Sequence, residues 1–284
     1  VIRKRSSSLS VISIERCCQI LGVSRSEYYA KPTIDAKDDL CLEIQTEADE
    51  RIAYGYRRIA ESLWKKGNRR ATRKRVRSRM RKIGLNRRPK RRKTRTTIPG
   101  KAPASPNLVA NLNLERPRQL LVTDLTYVAL PQGFAYVSVV MDAFSRRALG
   151  WAASDNLATE LPLEALGMVL SQESLPQGWI HHSDRGCQYT SKDYKEKVEQ
   201  NFGILSNSKP GCPYDNAKME SFFKTYKYEE ANLQTYSSLE DLKLNLATFL
   251  QDYNSFRLHS SIGYCSPIEF EILYNQLDKE ICVC

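Results

Sequence analysis

LLVTDLTYVAL (120–130), PQG (131–133), FAYVSVVMD (134–142) and RALGWAAS (147–154) are the stretch that decides the fold. Val, Tyr, Thr and Leu crowd the three longer runs, and the Pro- and Gly-bearing break between the first two is a turn. That pattern predicts an antiparallel meander of three strands. Downstream the rhythm changes. Residues 159–173 read as a helix, 178–182 as a short strand, 191–201 as a helix, 203–207 as a short strand and 216–230 as a helix. Three strands followed by alternating helix and strand predict an α/β fold, a mixed five-stranded sheet with helices on its faces.

Upstream the composition is different in kind. From Arg51 to Arg95 there are 21 Lys and Arg against the single acid Glu61, a local charge of +20, while the whole chain of 284 residues carries +12. A basic block beside an acidic-leaning remainder predicts a polyanion-binding module, the plainer alternative being a solvated basic helix face. Residues 35–50 form an acidic helix with Leu40, Ile44 and Ala48 on one side. YGYRRI (54–59) leads a helix to about Lys66, Gly67-Asn68 is a turn, and a basic helix runs from Ala71 to Ile83 before Gly84. Val76, Met80 and Ile83 share one face of that helix, and Arg73, Arg77 and Arg81 another. This is a helix-turn-helix pattern whose second helix suits a DNA groove. Its candidate DNA contacts are Arg57, Arg58, Arg73, Lys74, Arg77 and Arg81.

A smaller helix-break-helix occupies 13–31, with Ser13 and Ser24 as caps, Gly22 as the break and Pro32 as the stop. Residues 86–107 are Arg, Lys, Pro, Thr and Ser without apolar periodicity, a flexible basic linker able to track phosphates. No run of about 18 apolar residues indicates a membrane span. The basic start VIRKRSSS leads into no apolar stretch, so no signal peptide is expected. Eight scattered cysteines form no C-x-x-C pair, which favours reduced thiols and a cytoplasmic setting.

Three acids stand in distinct segments: Asp124 in LVTDLTY (121–127), Asp184 in HHSDRGCQYTS (181–191) and Glu220 in DNAKMESFFK (215–224). Alternation puts Val122, Asp124 and Thr126 on one face of the first strand. An Asp within an apolar strand is costly unless paired or metal-bound. Asp184 follows a short strand, at the end where α/β sheets bind ligands. Glu220 lies near the start of a helix, from which it is able to project back to the sheet. Carboxylates converging from separate elements are what hard divalent cations require, and Mg²⁺ needs only a few of them. Lys224 and Lys227 fall four and seven residues after Glu220 on one helical face, placed to meet a phosphate backbone, unless Glu220 and Lys224 form an ordinary surface ion pair. Asp142 reads as a turn or supporting group. His181 and His182 face opposite sides of a strand, and His182 is expected to shape the Asp184 turn. Asp215 and Asn216 are expected to cap the Glu220 helix and approach DNA. Arg257 and His259 are candidates for a phosphate or supporting role, with simple packing equally open. The loop PGCPYD (210–215) is expected to order on DNA.

With YGYRRI (54–59), TDLTY (123–127), MDAFSRR (141–147), HSDRGCQY (182–189), DNAKMESFF (215–223) and YNSFRLH (253–259) in this order, the chain resembles the catalytic subunit of two-reading-frame bacterial insertion-sequence transposases, with a retroviral-integrase-like core. The resemblance implies a ribonuclease-H-like fold and a metal-binding triad on Asp124, Asp184 and Glu220. It implies two Mg²⁺ ions, with Mn²⁺ able to substitute, and DNA strand cleavage and strand transfer. Recognition of the element's terminal inverted repeats and of target DNA, a homo-oligomer on DNA, an upstream-frame partner protein and a nucleoid location go with it. The expected layout is a helix-turn-helix-like segment at 1–34, a basic helical DNA-binding domain at 35–85, a linker at 86–117, the catalytic core at 118–235 and a helical extension at 236–284. A nuclease of the same fold would cut without joining, and a transcription regulator would need no acidic triad.

Overall fold

The computed structural model describes Cys18 and residues 39–85, 105–110, 112–209 and 216–281, with side chains to residue 277. Apart from Cys18, the helix-break-helix expected at 13–31 lies outside the described residues, as do residues 86–104 of the basic linker and the loop 210–215. Two compact units divide the chain, Val1–Arg51 with Ile59–Arg87 and Ile52–Arg58 with Arg88–Cys284.

The first unit is helical. Helix α1 (Asp39–Glu50) buries Leu40 and Ile44, four residues apart on one face. Helix α2 (Tyr56–Lys65) contributes Ile59, Ala60 and Leu63, and α3 (Arg73–Lys82) contributes Val76 and Met80. The turn between α2 and α3 needs the left-handed backbone of Gly67, at φ 93°. Thr72 then caps α3, its side chain accepting from the Arg75 N–H. Glu47 is buried among the apolar groups but is not unpaired: Ser62 Oγ donates to it at 2.5 Å and Lys66 Nζ at 2.6 Å. That bond raises the Lys66 pKa. Arg73, Lys74, Arg77 and Arg81 remain exposed on the far side of α3.

The second unit is built on a five-stranded sheet in the order β3-β2-β1-β4-β5. The strands are β1 (Leu120–Leu130), β2 (Gly133–Asp142), β3 (Ala148–Ser154), β4 (Ile180–Ser183) and β5 (Ile204–Asn207). The first three pair antiparallel, whereas β1 with β4 and β4 with β5 pair parallel. The helices are α4 (Glu160–Gln172), α5 (Lys192–Gln200), α6 (Ala217–Tyr226), α7 (Leu239–Ser255) and α8 (Pro267–Ile281). Residues 216–230 are not one uniform helix: a π-helical turn, Lys227–Ala231, follows α6. Strand alternation sorts the core into two layers. Leu120, Val122, Val139 and Met141 pack with Phe222, Tyr226, Leu246 and Tyr253 from α6 and α7. Leu121, Val140 and Leu149 pack with Leu166, Val169, Tyr194 and Val198 from α4 and α5. Each large side chain so buried contributes about 1.5–3 kcal/mol. This mixed sheet with helices on both faces is the ribonuclease-H-like architecture.

A buried ionic network fixes the entry to β1. Arg118, at φ 64°, donates to Asp142 (3.0 Å) and lies 2.8 Å from Glu173 and 2.5 Å from Glu271. Burial works against the Arg118 charge, but these carboxylates outweigh it and raise its pKa. Asp142 is wholly buried and accepts from the N–H groups of Arg118, Phe144 and Ser145. The network joins β1, the β2–β3 turn, the end of α4 and α8. Removing one member would strand buried charge, at a cost of about 3–5 kcal/mol.

Two outcomes follow from this packing. A Cβ at Gly150 on β3 would overlap the Ala165 carbonyl and lie 2.6 Å from Val169 Cγ2. Gly150→Ala therefore lowers stability by about 1–3 kcal/mol in urea unfolding, and an unchanged midpoint would contradict this contact. His181 on β4 is fully buried, its Nε2 2.7 Å from Tyr194 Oη, while its Nδ1 has no hydrogen-bond partner among the described residues. Burial, with the neighbouring His182, pushes it down to about 3. The unfolded chain therefore takes up this proton first. The stability His181 contributes is complete above its unfolded pKa of roughly 6.5 and declines as pH falls towards the folded value. Between pH 7 and 5 the native chain loses about 2 kcal/mol more than His181→Gln. Parallel stability curves for the two would sink this assignment.

Candidate active site

Asp124 sits midway along β1, opposite Val139 of β2. Leu120 and Val122, which belong to the layer under α6 and α7, share its strand face. The residue is partly buried. Burial pushes its pKa up to about 7, with the Asp184 and Glu220 carboxylates adding to the rise; the Leu125 N–H, which donates to Oδ1 at 2.8 Å, and Lys227 work in the opposite sense. Asp184 follows the last residue of β4. Burial raises its pKa as well, while the Gly186 N–H, donating to Oδ1 at 2.9 Å, opposes the rise. The turn around it is tight: a Cβ on Gly186 would lie 3.0 Å from Asp184 Oδ1 and 3.1 Å from Gln188 Oε1. Asn207 Nδ2 donates to the Asp184 carbonyl at 3.0 Å, tying the turn to β5.

Glu220 is placed differently. Its carboxylate accepts from Lys224 Nζ at 3.2 Å, so the surface ion pair that the spacing also allowed is present. Among the described residues no three His, Cys, Asp or Glu side chains are grouped closely enough to hold one metal ion. Asp184 and Glu220 act on Asp124 through their charge, each raising its pKa. Lys227 opens the π-helical turn, and its Nζ stands 4.4 Å from the centre of the Tyr127 ring. Burial lowers its pKa and Asp124 partly restores it, so Lys224 and Lys227 serve different partners.

Asn216 does not cap α6 with its side chain. It is buried, and its Nδ2 donates to the Thr123 carbonyl at 3.1 Å. That bond competes with capping and stitches the start of α6 to β1 one residue before Asp124. His182 reaches β5 and the residue after it, with Nδ1 2.8 Å from Ser206 Oγ and Nε2 3.0 Å from Ser208 Oγ. Its link to the Asp184 turn is indirect, through Ser208, whose carbonyl accepts from Arg185 Nε. Arg257 is buried and forked onto Glu229, with bonds of 2.8 and 2.7 Å. His259 lies against it, and burial together with the Arg257 charge pushes it down to about 2. Arg57 is exposed, whereas Arg58 is half-buried, and burial and Arg257 lower its pKa. Arg146 and Lys218, which the motifs did not single out, are also partly buried near this group. The only hint was their place in MDAFSRR and DNAKMESFF.

Known proteins carry the same organisation. The integrase core domain family matches residues 115–213, a second integrase core domain family matches 204–267, and an HTH-like domain matches 36–93. Among solved structures, the catalytic core domain of BIV integrase aligns over 57% of this chain and 99% of its own, at TM-score 0.44 and 15% identity. The transposase for insertion sequence element IS629 of Shigella sonnei is 36% identical over 270 residues, 90% of each protein. Transposase InsF for insertion sequence IS3A of Escherichia coli (strain K12) is 32% identical over 273 residues, 91% of this chain and 94% of that protein. With likeness at this level along most of its length, the chain belongs to the family of insertion-sequence transposases with an integrase core.

Proposed function

We propose that this transposase cleaves DNA at the ends of an insertion element and joins the freed 3′ ends to target DNA, using a pair of Mg²⁺ ions held by Asp124, Asp184 and Glu220. The observation that carries the reading is the partly buried Asp124 carboxylate in the middle of β1, raised to about 7 by burial and by its acidic neighbours Asp184 and Glu220. Two carboxylates facing each other in a low dielectric repel, and a divalent cation reverses the sign of that interaction. The donors are hard oxygens, the set Mg²⁺ prefers, and Mn²⁺ is able to substitute. Glu220 must exchange Lys224 for the cation. An exposed i,i+4 ion pair contributes only about 0.3–0.5 kcal/mol, so the exchange is easy. When bound, the ions supply Lewis acidity to the attacking hydroxyl and the departing oxygen. Asp124 and Asp184 provide the fixed side of the site, and Asn216 holds α6 against β1 so that Glu220 approaches from the correct face. Lys224, once released, and Lys227 supply ammonium groups to the DNA backbone.

Arg57 and, on α3, Arg73, Lys74, Arg77 and Arg81 present the charge expected of a DNA-reading unit. The remaining elements of this proposal are a homo-oligomer that holds two inverted-repeat ends, an upstream-frame partner and a place at the bacterial nucleoid. The layout supporting it is the one set out from the sequence, with the core at 118–235. Among the described residues no helix is long and apolar enough to cross a membrane.

Incubation with supercoiled DNA bearing the element ends tests the activity. Joined products with Mg²⁺ are expected, and nicking without joining would identify a nuclease instead. Asp124→Asn should reduce joining on the order of a hundredfold or more. The same variant should be more stable without metal at pH 8, by roughly 2 kcal/mol. The sign follows from the raised carboxylate pKa, which makes the ionised form a cost above about pH 7. A metal-free variant that melts below the native chain would contradict the electrostatic reading. Replacing Arg77 and Arg81 together by Gln should weaken DNA binding several-fold and flatten the dependence of log K on log salt by about one unit per lost phosphate contact. An unchanged slope would remove α3 from the interface.

A further inference from the structure

The core unit holds a cavity of about 530 Å³ whose lining includes four basic side chains and no acidic one. Arg58 comes from the start of α2, Arg146 from the β2–β3 turn, Lys218 from the first turn of α6 and Arg257 from just beyond α7. Among the described residues only Arg257 of these four has a carboxylate bonded to it, and Glu229 forms a bidentate pair with it. Arg58 stacks on the Tyr54 ring instead, 5.6 Å from its centroid. No ion pair involving Arg146 or Lys218 is present among the described residues. Both side chains are only partly exposed where they line the cavity. Partly desolvated cations gathered with fewer carboxylates than positive charges are costly, and a bound anion would relieve the arrangement. Arg146 bears a second cost, a left-handed backbone at φ 67°, which a non-glycine residue holds only where the surroundings demand it.

The remaining walls are of another kind. Leu112, Leu114 and Val122 supply apolar surface, with Phe222 and Tyr253 adding aromatic rings. The occupant therefore combines an anionic group with an apolar, stackable body. The volume lies within the range of about 300–1,000 Å³ usual for a small-molecule site. Val122 is two residues before Asp124 on the same strand face, and Lys218 is two residues before Glu220. The cavity thus borders the candidate carboxylates without including them.

We infer that this cavity binds a single unstacked nucleotide, its phosphate on Arg146 and Lys218 and its base against the apolar wall. Arginine and lysine ammonium groups recognise phosphate by charge, and aromatic and aliphatic side chains accept a base by stacking without reading its sequence. The nucleotide comes either free from solution or from a DNA strand end drawn out of its duplex. The DNA-borne form rests on the function proposed above.

The test uses the full chain and two fluorescent probes, 2-aminopurine deoxynucleoside monophosphate and a duplex ending in one unpaired 2-aminopurine nucleotide. Controls are the unphosphorylated nucleoside and the same duplex with an abasic overhang. Binding of the monophosphate supports a free nucleotide, and binding of the overhang alone supports a strand end. In either case affinity should fall at least tenfold in Arg146→Asn and in Lys218→Gln, and each control should bind at least tenfold more weakly than its probe. Asn tolerates a left-handed backbone, and Lys218→Gln decides if the Arg146 variant melts early. Binding of neither probe, or equal affinity in native chain and a normally melting Lys218→Gln, overturns the inference. Asp124→Asn should keep nucleotide binding while losing strand joining. Joining by the native chain without nucleotide binding sinks this site alone, and nucleotide binding without joining sinks the transposition chemistry alone.

Discussion

A carboxylate set midway along the central strand of a sheet has to be compensated, and Asp124 is that group here. It stands on β1, which has two strands on either side, and its burial raises its pKa to about 7. Among the described residues no arginine pairs with it as Arg118 pairs with Asp142. The contrast is informative because both acids occupy the same two-strand ladder. Asp142 accepts bonds from three backbone N–H groups and a guanidinium, which oppose the rise that its burial imposes on its pKa. The bond to Asp124 comes from the adjacent Leu125 N–H, and Asp184 adds repulsion. The proposed cation would offset this cost.

The surroundings of the two aspartates and of the glutamate differ in their bonding. Asn207 and the Gly186 N–H hold the Asp184 turn, and Asn216 binds the Thr123 carbonyl beside Asp124. Glu220, by contrast, rests in a pair with a lysine exposed on the surface of α6. The proposed site would need Glu220 to exchange this lysine for the cation. Lys218 lies two residues before Glu220 at the start of the same helix and lines the cavity shared with Arg146.

Much of this was legible in the sequence because β-strand and helix periodicities are local. The bounds expected for β1, 120–130, coincide with the strand, and the order of the later helices and strands follows the expected one. The short strand expected from residue 178 begins at Ile180 instead. Gly178 adopts φ 78° just before the strand, although the backbone bonds reach back further than the strand itself: the Trp179 carbonyl accepts from the Ile204 N–H at 2.8 Å and the Gly178 N–H donates to the Phe202 carbonyl at 2.9 Å. What local patterns did not carry was the choice among partners. Asn216 had a helix to cap and a strand carbonyl to bind, and the tertiary contact won. Arg257 offered a phosphate ligand or a packing group, and Glu229, twenty-eight residues away, claimed it. Arg58 stood in a basic run that suggested DNA, yet it turns into a cavity shared with Arg146 and Lys218. The meeting of these cations depends on four elements remote in sequence, which no spacing encodes.

The central claim is that carboxylates from β1, the β4 turn and α6 share divalent cations. Anomalous diffraction from crystals of the protein on its end DNA, soaked in Mn²⁺, tests it most directly. The expected result is one or two anomalous peaks about 2.1 Å from oxygens of Asp124 and Asp184, with Glu220 turned away from Lys224 to complete the set. Peaks elsewhere, or none at Asp124 with DNA in place, would contradict it.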